Sequence, residues 1–320
     1  MFYINSVSTN PFFNLALEEY VLKSQSNDFF LLYSNEPSII IGKHQNALSE
    51  INLEFIIENK LKVARRLSGG GAVFHDLGNL NYTFISNSET GNHVNFKKFS
   101  QPILEVLNNI GVPAVLEGKS DLKINGLKFS GNAEHVYKKR VLHHGTLLFS
   151  SQLTLLKNAL ADNSQCYLSK AVKSNRSSVT NISDFLSGNM NIVDFKDLIS
   201  EYINENNPGI TEYILSPLDI KEIESLVYSK YATWEWNFAY APDYIFKKNI
   251  EIKSCEIKVE IEVVKGIIIH VKIDSSFLDK NQISTLEKIL VGLPHCVETL
   301  GSSINQIEHE KQFDLMQAFF

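Results

Sequence analysis

Cysteine is scarce. Cys166, Cys255 and Cys296 are the three in 320 residues, far apart and odd in number, and no two stand in a CxxC pair. That spacing excludes the paired-cysteine signatures of structural zinc and dithiol redox sites and fits a reducing compartment. Long apolar runs are missing too. No stretch approaches the ~18 to 20 residues that a membrane helix needs, and "MFYINSVSTNPFFNLALEEY" shows no basic segment followed by an apolar one. The expectation is a cytoplasmic protein with no membrane segment. A basic excess is also absent: 30 Lys and Arg stand against 36 Asp and Glu, a formal net charge of -6, with no long Lys/Arg run. This argues against a general nucleic-acid binder, so any positively charged site must be local.

What is present is ordinary globular material. Hydrophobic residues make up 44% and charged residues 21%, with no repeat and no low-complexity tract. The length predicts one large and one small domain. Leu15, Leu17, Tyr20, Val21 and Leu22 fall largely on one side of a helix from Asn14 to Lys23, with Asn14 as N-cap and Glu18 and Glu19 early in it. "FFLLY" and "SIIIG", separated by "NEP", read as neighbouring strands, and "LNYTFI" as another. "FSQPILEVLNNIG" has helical periodicity with Gly111 as its stop. Strands and helices mix without strict alternation, which favours an α+β fold with a mixed sheet over a doubly wound one.

From Asn249 the texture changes. "IKVEIEVV" alternates strictly, "KG" makes a turn and "IIIHVKI" returns, followed by helical "NQISTLEKIL" and a helical tail after Gly301. The division expected is a large mixed-sheet domain over 1–241, a linker over 242–248 and a small α+β domain over 249–320.

Two stretches carry chemistry. The first is "RRLSGGGAVFHDLGNLNYTFI", Arg65 to Ile85. Three consecutive glycines suit neither helix nor strand interior, because each loses more backbone entropy on folding than any other residue. The spacing is not Gly-x-x-x-x-Gly-Lys-Ser/Thr, and Phe74 stands where Gly-x-Gly-x-x-Gly needs its last glycine. What remains is a loop whose backbone can approach an anion closely, with Arg65 and Arg66 upstream to supply charge. The plainer alternative is a tight turn with solvated arginines.

The second stretch is "SDLKINGLKFSGNAEH", Ser120 to His135. Asn125-Gly126 signals a two-residue hairpin turn. Pairing outward from it opposes Ile124 to Leu127, Lys123 to Lys128, Leu122 to Phe129 and Asp121 to Ser130. One face is then apolar, and the other carries Lys123, Lys128, Asp121 and Ser130. Opposed lysines repel unless an anion or water lies between them, so a phosphate-ester site and a solvated face both fit. In "RVLHHGTLLFS", His143 and His144 point to opposite faces of a strand and cannot share one metal ion, and no HExxH occurs anywhere.

Together these stretches resemble the lipoate-protein ligase family. The matching pieces, in the family's order, are "NPFFNLALEEY", "IIIGKHQN", "RRLSGGGAVFHDLGNLNYTF", "DLKINGLKFSGNA", "HHGTLL", "RSSVTNI" and "WEWNF". The resemblance implies a large α+β domain related to the biotin and lipoate ligase fold, followed by the small accessory domain of the two-domain bacterial type. It implies two steps: lipoate and MgATP give lipoyl-AMP and pyrophosphate, and the acyl group then passes to a specific lysine of a lipoyl carrier domain. The implied acceptors are E2 subunits of 2-oxoacid dehydrogenases and the glycine-cleavage H protein.

Carried over by motif, Arg66, Gly71, Ala72, Val73, Phe74 and Lys128 bind ATP, and Lys128 is the catalytic group that touches both the α-phosphate and the lipoyl carboxyl. Gly69, Gly70, His75, Ser130, Gly131, Ala133 and Thr146 line the lipoyl-adenylate site together with Lys128. Asp121 is the candidate Mg2+ ligand, since a hard cation bridging phosphate oxygens takes a carboxylate on the face of Lys128. Lys123 has no assigned role.

Two rivals stand beside this reading. One is an octanoyl or lipoyl transferase that works without ATP through a thioester on Cys166, in "NSQCYLSKAV", for which no activating base is evident. The other is a non-catalytic binder of lipoyl carriers, against which the intact Lys128, Arg66 and glycine loop argue.

Overall fold

The computed structural model describes residues 1–88, 94–305 and 315–320. The chain opens with β1 (Phe2–Asn5), α1 (Pro11–Ser24), β2 (Phe29–Tyr33), β3 (Ser38–Ile41), α2 (Ala47–Glu50), α3 (Leu53–Glu58), β4 (Lys62–Arg65), β5 (Val73–His75) and β6 (Asn79–Asn87). Then come α4 (Phe96–Asn109), β7 (Ala114–Glu117), β8 (Asp121–Ile124), β9 (Leu127–Tyr137), β10 (Arg140–Leu148), α5 (Leu153–Ala159) and β11 (Tyr167–Ser169). The rest is α6 (Ile192–Asn206), β12 (Thr211–Glu212), α7 (Pro217–Leu226), β13 (Tyr244–Ile252), β14 (Cys255–Val264), β15 (Ile267–Ser275), α8 (Lys280–Leu290) and α9 (Val297–Asn305).

Two compact units divide these elements. One comprises Met1–Lys43, Lys60–Asn158 and Ser174–Thr233; the other comprises His44–Asn59, Ala159–Lys173 and Trp234–Phe320.

In the first unit a mixed sheet runs β12-β1-β2-β6-β10-β9-β8-β7 among the described residues, and β4-β3-β5 form a separate small sheet. The α+β class expected from the mixed order of elements is therefore the one observed. Phe30, Leu80, Tyr82, Leu122 and Phe129 from the large sheet, with Phe149 just beyond β10, pack with Ile103 and Leu107 of α4 and with Phe195 and Ile199 of α6. Burying these side chains is the main stabilising contribution here, about 1.5 to 3 kcal/mol for each fully buried large residue.

α1 begins earlier than the Asn14 start expected from the apolar spacing. Asn10 caps it by accepting from the Phe12 N–H at 3.1 Å, and Pro11 occupies the first turn, where its missing N–H costs nothing. Asn14 is thus inside the helix and fully buried. "FFLLY" and "SIIIG" are strands but not neighbours: β2 pairs with β1 and β6, while β3 pairs with β4 and β5. α4 ends as expected, with Gly111 at φ +81° just beyond it.

In the second unit β11-β13-β14-β15 form an antiparallel sheet. Its strict alternation buries Ile257, Val259, Ile261 and Val263 of β14, and Leu286, Leu290, Leu300 and Ile304 of α8 and α9 are buried with them. Lys265 and Gly266 turn β14 into β15 at φ +50° and +77°, the left-handed pair that a two-residue hairpin requires. β13 starts at Tyr244 and occupies most of the segment 242–248, paired with β11 and β14. α9 covers the start of the helical tail at Gly301; residues 306–314 of that tail lie outside the described residues.

Candidate active site

The hairpin of β8 and β9 turns at Asn125 and Gly126, with φ +50° and +81°. Ile124 opposes Leu127 and Lys123 opposes Lys128, as the alternation predicts. Beyond that pair the register shifts by one residue, so that Leu122 opposes Ser130 and Asp121 opposes Gly131. This bulge corrects the expected pairing of Leu122 with Phe129 and of Asp121 with Ser130. An extra residue in one strand re-aims the side chains on either side of it. Ser130 is buried, and its hydroxyl accepts from Asn132 Nδ2 at 3.2 Å.

Lys128 nevertheless reaches Asp121, its Nζ 2.8 Å from the carboxylate. Gly131 makes room for it: a Cβ at Gly131 would lie 3.3 Å from both Cε and Nζ of Lys128. The Gly131 N–H donates to the Thr146 hydroxyl at 3.2 Å, and Ala133 opposes His144 in the β9/β10 ladder. Lys128, Asp121, Gly131 and Thr146 thus form one cluster, with Ala133 further along the same face of β9. The backbone of Lys128 is pinned on both sides, its N–H donating to the Ser178 carbonyl and its carbonyl accepting from Thr180, each at 3.0 Å. This ties "RSSVTNI" to the site. Lys123 pairs with Glu117, so a carboxylate answers each of the opposed lysines.

The glycine loop is organised by a buried guanidinium. Arg66 donates from Nε to the Ser68 hydroxyl at 3.0 Å, from Nη1 to the Ile40 carbonyl at 3.1 Å, and from Nη2 to the carbonyls of Gly69 and Gly71 at 2.6 and 2.8 Å. Burial lowers its pKa to about 10, against the pull of Glu18. Because a trans peptide sets N–H and C=O in opposite directions, the Gly69 carbonyl bonded to Arg66 turns the Gly70 N–H away from it. The Ala72 N–H is taken by the Ser174 hydroxyl at 2.9 Å. Gly70 sits at φ +88°, and a Cβ on Gly42 would lie 2.0 Å from the Gly70 carbonyl oxygen, so both positions require glycine. Arg65 is fully buried and donates to the carbonyls of Gly42 and Lys43. Neither arginine is a solvated loop residue. Val73 and Phe74 lie on β5, the Phe74 side chain in the core.

Residues that the motif reading left without a role connect loop and hairpin. His144 Nε2 lies 2.6 Å from the Ser68 hydroxyl, and its Nδ1 lies 3.0 and 3.1 Å from the two carboxylate oxygens of Glu18. Glu18 also accepts from Tyr33 at 2.9 Å and Thr83 at 2.5 Å. Burial pushes the Glu18 carboxyl up, but His144 and these hydroxyl donors outweigh it and hold the pKa below the usual carboxylate value. The signal available in the sequence was Asn14 and Glu18, two polar residues four apart and so on one face of the helix, with apolar Leu15, Ala16 and Leu17 between them. His143 faces the other side of β10, 2.9 Å from Glu134, which separates the two histidines as the strand geometry predicts.

His75 is buried on β5, its Nδ1 2.9 Å from Asn35 Nδ2. Burial, with Arg66 and His144 nearby, lowers its pKa to about 3. Asp121 has Lys128 as its ion-pair partner, and among the described residues no group of three or more His, Cys, Asp or Glu is placed to hold a metal. One carboxylate suits Mg2+, which keeps most of its coordination for phosphates and water. Cys166, half-buried, has no histidine or carboxylate hydrogen-bonded to its thiol among the described residues. No helix among them is long and apolar enough to cross a membrane.

The family model of the lipoyl protein ligase A/B catalytic domain matches residues 10–204, and that of the bacterial lipoate protein ligase C-terminus matches 241–318. The chain belongs to the lipoate-protein ligase family. It is 39% identical to lipoate-protein ligase 1 of Staphylococcus aureus over 309 residues, covering 96% of this chain and 94% of that one. With lipoate-protein ligase LplJ of Bacillus subtilis it shares 40% over 297 residues, covering 91% and 90%. The crystal structure of P. falciparum LipL1 in complex with lipoate superposes with a TM-score of 0.63 at 26% identity, covering 99% and 98%. The ligase family expected from the ordered motifs is thus the one found, and its two domain models both match.

Proposed function

We propose that this ligase-family chain activates lipoate with MgATP to lipoyl-AMP and then transfers the lipoyl group to a specific lysine of lipoyl carrier domains. The acceptors proposed are E2 subunits of 2-oxoacid dehydrogenases and the glycine-cleavage H protein, in the cytoplasm. The observation that carries this reading is the Lys128 ammonium, held beside Asp121 in the space that Gly131 leaves open.

In the first step a lipoate carboxylate oxygen attacks the α-phosphorus, an O–P bond forms and pyrophosphate leaves. Two anions must meet, and an ammonium between them offsets their repulsion and stabilises charge that builds on the phosphorus oxygens. That is the role proposed for Lys128. Arg66 and the backbone of Gly71, Ala72, Val73 and Phe74 take the nucleotide, with Arg66 acting through the loop it holds. Gly69, Gly70, His75, Ser130, Gly131, Ala133 and Thr146 take the acyl part. Mg2+, where bound, neutralises phosphate charge, and Asp121 is the carboxylate that would hold it. In the second step the acceptor amine attacks the acyl carbon, the C–O bond to AMP breaks and the amine loses a proton. No covalent enzyme intermediate is needed in this route. The residues named lie in 1–241, and 249–320 is proposed as an accessory domain that matters most in the activation step.

The test is to incubate the protein with lipoate and ATP and follow pyrophosphate before and after adding an apo lipoyl domain. Release before the carrier is added supports an adenylate intermediate; acyl transfer that proceeds without ATP supports the cysteine route.

A further inference from the structure

A chain of buried amides leads from α1 to His75. Asn14 Nδ2 donates to the Ser8 carbonyl at 2.8 Å and to Asn35 Oδ1 at 2.8 Å, while Asn14 Oδ1 accepts from the Ser6 hydroxyl at 2.7 Å. Asn35 Nδ2 then meets His75 Nδ1 at 2.9 Å. Asn14 and Asn35 are fully buried, and His75 nearly so. The far ring nitrogen, Nε2, is buried and has no partner among the described residues.

Chemistry fixes every orientation in this chain. A backbone carbonyl only accepts, so the Asn14 atom facing Ser8 is its NH2 group. The second hydrogen of that nitrogen points at Asn35, which must present its oxygen. Asn35 then turns its own NH2 to His75, and Nδ1 must accept. A proton on Nδ1 would set two donors face to face. The neutral ring therefore carries its single proton on Nε2, and the nearby charge of Arg66 adds to the cost of a second one.

We propose that Ser8, Asn14 and Asn35 are positioning groups that lock His75 as a neutral Nε2–H donor, and that this N–H takes an oxygen of the carboxyl group of the acyl substrate. The second half rests on the functional reading above. A buried donor without an acceptor costs about 1 to 3 kcal/mol, a loss that a ligand oxygen removes. An enclosed donor suits a substrate with an apolar body better than a solvated polyphosphate, for which the site already supplies Lys128. A neutral donor also suits an oxygen that is anionic in the acid and uncharged in the mixed anhydride. It orients both without adding a second cation to the Lys128 ammonium already proposed beside the carboxylate.

Two measurements test this. Two-bond 1H–15N correlation spectra of the full chain, with His75 assigned by loss of its signals in His75→Gln, should show the Nε2–H tautomer unchanged from pH 8 to pH 5, and lipoate alone should shift its Nε2 resonance. Asn35→Asp keeps the acceptor for Asn14 and loses only the donor to His75. It should move the proton to Nδ1 or let the ring titrate, raising the KM for lipoate about tenfold with the KM for ATP unchanged. An Nδ1–H tautomer or titration of His75 above pH 5 in the wild type would overturn the locking. A shift with ATP but not with lipoate, or Asn35→Asp raising the KM for ATP instead, would overturn the acyl assignment. Absence of any lipoate-dependent pyrophosphate release by the wild type would sink the functional reading and with it the acyl half, while the tautomer result would stand on its own.

Discussion

The hydroxyl of Ser68 lies 2.6 Å from Nε2 of His144, and the same oxygen lies 3.0 Å from Nε of Arg66. Since Nε–H of arginine only donates, Ser68 accepts from Arg66, and the same hydroxyl meets His144, whose other ring nitrogen meets the Glu18 carboxylate. A buried carboxylate on α1 thereby holds the guanidinium that shapes the glycine loop. Ser68→Ala should lower lipoate-dependent pyrophosphate release roughly tenfold or more, the loss of a hydrogen bond to a charged group, while Ser68→Thr keeps the hydroxyl and most of the activity. Equal rates for Ser68→Ala and wild type would remove the link between this network and the loop.

Gly131 has ordinary backbone angles, so its role is spatial. In Gly131→Ala the new methyl would sit 3.3 Å from Lys128 Cε and Nζ and shift the ammonium by a few tenths of an ångström. Adenylation should fall several-fold, with the urea midpoint within about 0.5 kcal/mol of wild type, because a tip on a flexible stem can move without disturbing the core. Unchanged kcat would show that the position of Lys128 is not critical.

Stability should fall with acid well before the carboxylates protonate. Burial holds His75 at a pKa of about 3 and His295 at about 4, both below the ordinary imidazole value. His295 donates from Nε2 to the Phe319 carbonyl and accepts from Tyr244 at Nδ1, a pairing that suits the neutral ring. Below pH 6.5 the unfolded chain binds protons that the folded chain refuses, so stability falls as pH drops from about 6.5 toward 4. Each site loses on the order of 2 kcal/mol by pH 5. Urea unfolding at pH 7.5 and pH 5 checks this, and equal midpoints would contradict it. The depressed Glu18 carboxyl adds a further loss only at lower pH, as its own folded pKa is approached.

Cys166→Ser should retain ATP-dependent lipoyl transfer at close to the wild-type rate, since in the proposed route the acyl group passes directly from AMP to the acceptor amine. Mass spectrometry of the wild type with substrate should find no acyl group on Cys166. An acyl-enzyme thioester there, together with loss of transfer in the variant, would favour the cysteine mechanism.

Local chemistry was the legible part of this molecule. Asn125-Gly126 and Lys265-Gly266 gave both hairpins because a two-residue turn needs positive φ, and few residue types tolerate it. The hairpin in turn brought Lys128 and Asp121 to one cluster. The bulge between Leu122 and Lys123 had no sequence signature, so Ser130 was expected opposite Asp121 and is found opposite Leu122. "FFLLY" and "SIIIG" were recognisable as strands, but partner choice is decided by β1, β4, β5 and β6 far along the chain, which no local pattern encodes. Glu18 and Asn14 were hidden for the same reason, because their partners Ser6, Tyr33, Asn35, Thr83 and His144 meet them only after folding.

The most direct test of the central claim is pyrophosphate release by the wild type and by Lys128→Ala, with lipoate and ATP and no carrier protein. The account predicts a lipoate-dependent burst from the wild type and a loss of about 10^2 to 10^3-fold in Lys128→Ala at an unchanged thermal transition, the effect of removing a charge aimed at the reacting oxygens. Near-normal release by a folded Lys128→Ala protein would contradict it.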